Sequence, residues 1–175
     1  DASKAIQRYR KLFRDGFSPA GDAARGRSVF IRTCQQCHKL HGLGGDLGPD
    51  LTGSNRTDLT YLLQNILDPS AVIPNDYVSS VVETRDERVI TGIVATNEGS
   101  ITRITTPTET LSIPSQEILD MQTSSLSLMP EGLLSQLKDQ EVRDLFFYLM
   151  QPSQAPLEGN HDNLEFFFNG QTLTT

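Results

Sequence analysis

The chain contains two cysteines, and a histidine follows the second directly: Cys34-Gln35-Gln36-Cys37-His38. Cys-x-x-Cys-His is the spacing of covalent c-type haem attachment. Two thiols three residues apart reach two vinyl groups on one porphyrin edge. The next residue then lies under the iron and offers an imidazole nitrogen as an axial ligand. Three other chemistries use the same residue types. A thioredoxin-like redox pair wants a βαβ setting, which the flanks do not suggest. A zinc site from Cys34, Cys37, His38 and His41 is conceivable, but zinc pairs normally come from separated segments, and the neighbours Cys37 and His38 do not easily face one metal. A plain structural disulfide is the third.

Elements on either side must position these groups. Asp22 is placed to cap a helix over 23–33. Ala23, Gly26 or Arg27, Phe30 and Cys34 fall on one stripe of it. Gly26 has no side chain, so a second helix can cross closely there. Downstream, Gly42-Leu43-Gly44-Gly45-Asp46-Leu47-Gly48-Pro49-Asp50-Leu51 is too glycine-rich for regular structure. Such a loop either wraps a flat cofactor edge or is an ordinary connector. Further on, Ser127-Leu128-Met129-Pro130-Glu131-Gly132 precedes a last helix over 139–150. Its apolar positions Val142, Leu145, Phe146 and Leu149 follow the i, i+3, i+4, i+7 pattern, and Asp139 and Glu141 suit the dipole at its start.

Taken in order, these segments resemble a class I cytochrome c. The matching residues are Gly26 and Phe30, Cys34 to His38, Gly48-Pro49-Asp50-Leu51, Met129-Pro130, and Leu145 with Tyr148. More narrowly, Cys-Gln-Gln-Cys-His, Gly-Pro-Asp-Leu-Thr-Gly, Ile-Leu-Asp-Pro-Ser and Ser-Leu-Met-Pro-Glu-Gly in that order resemble the haem-binding domain type of planctomycete and verrucomicrobial proteins, over about 22–151. The resemblance implies a mainly α fold around one haem c. It implies thioether bonds from Cys34 and Cys37 and His38 as proximal ligand. Pro49 would offer its carbonyl to the other ring nitrogen of His38, and Met129 would be the distal ligand through sulfur. It also makes Gly26, Phe30, Leu145 and Tyr148 the crossing point of the terminal helices. Met121 lacks the proline that stiffens a ligand loop, Met150 lies in the last helix, His41 stands too near His38 to reach the opposite haem face easily, and His161 falls in a tail.

His38 and Met129 stand 91 positions apart, long for a small class I cytochrome. The stretch 77–123 accounts for the excess. It is rich in Val, Ile and Thr, and 78–84, 88–96, 100–106 and 109–113 read as strands. Turns at Asp86-Glu87, Asn97-Glu98-Gly99 and Pro107-Thr108 separate them. The expectation is an inserted antiparallel β meander or small open barrel, serving as a haem-edge cover, a docking surface or plain structure. Before it, Leu59, Leu62, Leu63, Ile66 and Leu67 make the apolar stripe of a helix over 57–67, stopped by Asp68-Pro69. Arg56 and Tyr61 beside it either bond a haem propionate or serve as a solvated cation and a packing ring.

The first 20 residues read as a helix or linker. Ile6, Tyr9 and Phe13 share one face and basic residues surround it, which suits packing on a domain better than lying on a membrane surface. Prolines 152 and 156 signal a linker, and 164–170 reads as strand then turn. That end weakly resembles the opening strand of a sugar-active domain of the 3-keto-disaccharide hydrolase type, as if the chain came from a longer protein.

At 175 residues, 37% hydrophobic and 21% charged, the chain can bury a core. A formal charge of -7 argues against a general nucleic-acid binder. No apolar run is long enough to span a bilayer. With both axial positions filled, a haem passes single electrons and opens no site for oxygen. The expected function is therefore a non-enzymatic monohaem electron-transfer module. Its redox partners would be a dehydrogenase as donor and a downstream carrier or oxidase, with no nucleic acid. It would be periplasmic, because bacterial cytochrome maturation occurs outside the cytoplasm. A haem sensor or enzyme with a labile distal Met, and an interaction module built on the β insertion, are the alternatives.

Overall fold

A computed structural model describes residues 2–14, 21–95, 99–157 and 159. His161, the expected strand and turn over 164–170 and most of the turn at Asn97-Glu98-Gly99 lie outside the described residues. Among the described residues, four α-helices and five strands follow one another as α1 (Ala2–Arg14), α2 (Ala23–Thr33), α3 (Leu59–Leu67), β1 (Ser80–Thr84), β2 (Val89–Ala95), β3 (Ile101–Thr105), β4 (Thr110–Pro114), β5 (Ile118–Thr123) and α4 (Asp139–Leu149). The sheet is thus a larger share of the fold than a mainly α description suggests.

Local chemistry sets the helix ends. The Asp22 carboxylate accepts from the Arg25 amide at 2.8 Å and opens α2. Asp58 accepts from the Thr60 and Tyr61 amides and opens α3 at Leu59, two residues later than the apolar stripe alone suggests. At the start of α4, the Lys138 amide donates to Glu141 at 2.8 Å.

The helices share one core. Val29 and Phe30 of α2, Leu62 and Leu63 of α3, and Val142, Leu145, Phe146, Tyr148 and Leu149 of α4 are buried in it together. Tyr9 and Phe13 of α1 belong to the same cluster, and the Phe13 ring lies 4.9 Å from that of Phe146. The apolar face of α1 therefore packs on this core and not on a lipid surface.

The centre of the helical layer is the crossing of α2 and α4. A Cβ built on Gly26 would stand 1.9 Å from the Asp144 carbonyl oxygen and 2.6 Å from Tyr148 Cβ, so no larger residue fits without moving a helix. Beside it the Phe30 and Tyr148 rings meet at 5.6 Å, tilted by 60°. Asp144 reinforces the crossing. The residue is 2% exposed, and its carboxylate accepts from Arg25 Nε and the Asp22 amide, each at 2.8 Å, and from Gln140 Nε2 at 2.9 Å.

The sheet is antiparallel throughout, in the order β4-β3-β2-β1-β5. Four strands fall where alternation and turn residues place them, and β5 is a fifth. It escapes a periodicity reading because it is an edge strand with one partner, and all its residues but the first are exposed. β4 and β5 lie on opposite edges, yet only the short 3-10 turn Ser115–Glu117 joins them. Four strand spacings of about 4.8 Å would hold flat edges about 19 Å apart, beyond the reach of so short a link. The sheet must curl into a partly open barrel. Val82, Ile90, Ile104 and Ile113 fill its interior as a second core.

Candidate haem-attachment site

The last turn of α2 delivers the cysteines. Cys34 ends the helix with its amide on the Phe30 carbonyl at 2.8 Å, and the Cys37 and His38 amides then both donate to the Cys34 carbonyl, at 3.1 and 3.0 Å. This single extra turn brings the three reactive side chains close along the backbone. Both thiols are unpaired. Burial is the main cause that pushes Cys34 up to about 11, with the Thr33 hydroxyl opposing and Cys37 adding to the rise. Burial raises Cys37 as well. Redox-active and metal-binding cysteines need the thiolate, which a lowered pKa supplies. Here burial acts in the opposite direction at both sulfurs.

The glycine loop folds back over this turn. The Gly45 amide donates to Gln35 at 2.9 Å, Gly48 to Cys37 at 2.8 Å and Leu51 to Lys39 at 2.8 Å. Three of its glycines are there for contact. A Cβ on Gly44 would come 2.0 Å from the His38 carbonyl oxygen, one on Gly45 2.0 Å from that of Gln36, and one on Gly48 2.5 Å from Cε1 of the His38 ring. Gly48 thus forms a cradle against the imidazole that any side chain would fill. The next residue completes it, since His38 Nδ1 lies 2.8 Å from the Pro49 carbonyl oxygen. A carbonyl can only accept, so Nδ1 is the donor, and in the neutral ring this leaves the Nε2 lone pair for a ligand. A ring fixed by Gly48 and Pro49, directly after two free cysteines at the attachment spacing, fits a covalently bound haem.

The remaining candidates have surroundings of their own. Met129 is half-buried in the loop between β5 and the 3-10 turn Leu133–Gln136. Arg56 is buried, but its guanidinium serves the end of α4: Nη1 donates to the Leu149 carbonyl at 2.6 Å and to that of Gln151, and Nε to Thr52 at 3.3 Å. Those contacts make it a helix clamp, the role a buried cation takes when carbonyls at a helix end lack partners. Tyr61 is 37% exposed on α3. His41 turns toward α4, its ring edge-on to Tyr148 at 6.4 Å, and burial followed by the nearby Arg56 charge holds it below the usual histidine range. Among the described residues, no group of three or more His, Cys, Asp or Glu side chains is placed to hold a metal ion.

Sequence reasoning missed Asp144, the Arg56 clamp and the serines around Met129. It also missed the contact of Gln36, between the two cysteines, whose Nε2 donates to the Pro107 carbonyl at 2.8 Å. That bond seats the β3–β4 turn on the attachment segment. Beside it a cavity of about 490 Å³ is lined by Gln36, Leu47, Tyr77 and the β3–β4 residues.

Residues 21–82 match the family model described as cytochrome C oxidase, cbb3-type, subunit III. The matched stretch holds α2, the attachment segment, the glycine loop and α3, and it ends inside β1. Together with the geometry above, this similarity supports a haem-binding, electron-transferring cytochrome c domain.

Proposed function

We propose that the chain is a monohaem cytochrome c domain of the class I type, of the planctomycete and verrucomicrobial kind, with the curled sheet inserted before its distal-ligand loop. The reading rests above all on the His38–Pro49 contact inside the Gly48 cradle, which fixes the ring as an axial ligand requires. When bound, haem supplies an iron that takes up and gives back one electron at a time. The protein contributes the rest. Cys34 and Cys37 would hold the haem covalently, each thiol S–H adding across one vinyl group to give a thioether. The His38 Nδ1 proton on Pro49 O fixes the tautomer and the ring plane. Met129 would hold the iron through its thioether sulfur, a ligand that favours the reduced state. With His38 and Met129 both holding the iron, the haem would be closed to oxygen and the domain would serve as an electron relay.

The natural setting of this reading is periplasmic, as one module of a larger redox protein. Electrons come from a dehydrogenase and leave to a downstream carrier or oxidase. The charge of -7 favours a partner with a basic patch, with association slowed by added salt. Among the described residues, no helix is long and apolar enough to cross a membrane.

The test is the visible and near-infrared spectrum of protein matured with the cytochrome c assembly machinery, beside Met129→Ala. The expected result is covalently held haem with a sulfur-to-iron charge-transfer band in the wild type that the variant loses. Colourless wild type overturns the domain assignment. Haem without the band overturns Met129 as ligand and favours the labile-ligand reading, which rapid carbon monoxide binding to the reduced protein would then register.

A further inference from the structure

The loop that carries Met129 has little regular structure, yet its backbone is tied at nearly every step. Ser124 leaves the sheet with its amide on the Ser79 carbonyl at 2.8 Å. The Leu126 amide donates to Ser124 Oγ at 3.0 Å, and Ser79 Oγ donates to the Leu126 carbonyl at 3.2 Å. The Ser127 amide donates to Ser70 Oγ, and the Met129 amide to Ser127 Oγ, each at 3.1 Å. The two anchors come from different places. Ser79 is 1% exposed and stands directly before β1, while Ser70 follows Asp68 and the buried Pro69 at the end of α3. Past Met129, Pro130 fixes its own φ, and Gly132, at φ 78°, opens the 3-10 turn that carries the buried Leu134 into the helical core.

Each tie would be weak in water, but together they leave the main chain from 124 to 129 few alternatives. A thioether is a poor donor on a flexible side chain, so its competition with other iron ligands depends on how well the loop holds the sulfur in place. We propose that Ser70 and Ser79 are positioning residues for Met129, a latch that joins the end of α3 and the root of the sheet to the distal-ligand loop. This rests on the reading of Met129 as the sixth ligand. It also gives the sheet a task, because β1 and β5 bring Ser79 and Ser124 together.

The experiment uses the haem-loaded protein and titrates imidazole against ferric wild type, Ser70→Ala, Ser79→Ala, the double variant and Ser70→Thr. Exposed Ser112→Ala on β4 is the control. Loss of one net hydrogen bond should tighten apparent imidazole binding about fivefold per hydroxyl removed. Ser70→Thr, which keeps the hydroxyl, and Ser112→Ala should stay at the wild-type value. Hydrogen exchange at the Ser127 and Met129 amides should quicken in Ser70→Ala while exchange in α2 and α4 is unchanged, which separates a loosened loop from a destabilised fold. A wild type that shows the charge-transfer band while both alanine variants bind imidazole and exchange as it does overturns the latch alone. A wild type without the band overturns the ligand reading, and the latch with it.

Discussion

Replacing Gly26 by alanine tests the packing that holds the two halves of the helical layer together. The added methyl would begin 1.9 Å from the Asp144 carbonyl oxygen, against 3.4 Å for an ordinary contact, and its other near neighbour is Tyr148 Cβ at 2.6 Å. Neither is the far end of a flexible side chain, so α2 and α4 must part by about 1.5 Å. A gap of even 0.5–1 Å forfeits about a quarter to a half of the dispersion between facing atoms. The atoms concerned belong to Val29, Phe30, Val142, Leu145, Tyr148 and Leu149, all buried. A loss on that scale resembles a large core truncation, about 3–5 kcal/mol. The better helix propensity of alanine returns about 1 kcal/mol. The net expectation is about 2–4 kcal/mol, or a melting temperature lower by roughly 5–15 °C for a domain of this size. Thermal unfolding followed by far-ultraviolet circular dichroism measures it. Gly53→Ala is the control, because a Cβ there meets nothing within 4 Å. A Gly26→Ala protein as stable as the wild type would refute the close crossing.

Two further substitutions separate roles that look alike. Burial alone would raise the Asp144 pKa, but the Arg25 guanidinium, the Asp22 amide and the Gln140 amide outweigh it and hold the carboxyl below the usual range. A carboxylate with a depressed folded pKa stabilises the fold above its unfolded value, near 4, and loses that contribution as pH falls through the folded one. Asp144→Asn should therefore lower stability at pH 7 by about 2–3 kcal/mol and flatten the loss of stability below about pH 4, read as melting temperature against pH; parallel curves for the two proteins would contradict this. Arg56→Met should cost about 2–4 kcal/mol, because the Leu149 and Gln151 carbonyls lose a charged donor; a shifted reduction potential at unchanged stability would instead place the guanidinium on a propionate.

The parts of the fold legible in the sequence are those whose signals are local. Asp22 and the stripe behind it mark α2 to the residue, and the run from Val142 to Leu149 marks α4, because caps and periodicity act within a few positions. The Gly26 crossing was readable as well, since a glycine inside a helix stripe has few reasons to be there other than close approach. What stayed hidden depends on partners far along the chain. Asp144 reads as a polar position of α4 until Arg25, 119 residues earlier, is seen beside it. Arg56 offered a charge near a proposed cofactor, and only the folded chain shows the α4 carbonyls that take it up. Ser70 closes a motif whose serine has no evident use in sequence, because its partner amide at Ser127 lies beyond the entire sheet. β5 lacked alternation because almost nothing along it is buried.

The sheet also resolves the long interval between His38 and Met129. An insertion disturbs its host least when its two ends meet, since closing a longer loop between fixed points adds only about 0.6 kcal/mol per doubling of length. Here Ser80, the first residue of β1, is paired with Thr123, the last of β5, so the chain leaves the sheet beside the point where it entered. The curl that brings β4 round to β5 makes this possible, and the 3-10 turn Ser115–Glu117 closes the circuit, with Arg85 at the far end of β1 bonded to the Gln116 and Glu117 carbonyls. Seen from the helices, the segment after α3 and the Met129 loop are neighbours joined by a short path through Ser79 and Ser124, whatever the length of the strands beyond. The same adjacency lets Ser70 and Ser79 reach the loop together. The interval between His38 and Met129 is long along the chain, yet the sheet within it begins and ends at one place, Ser80 beside Thr123.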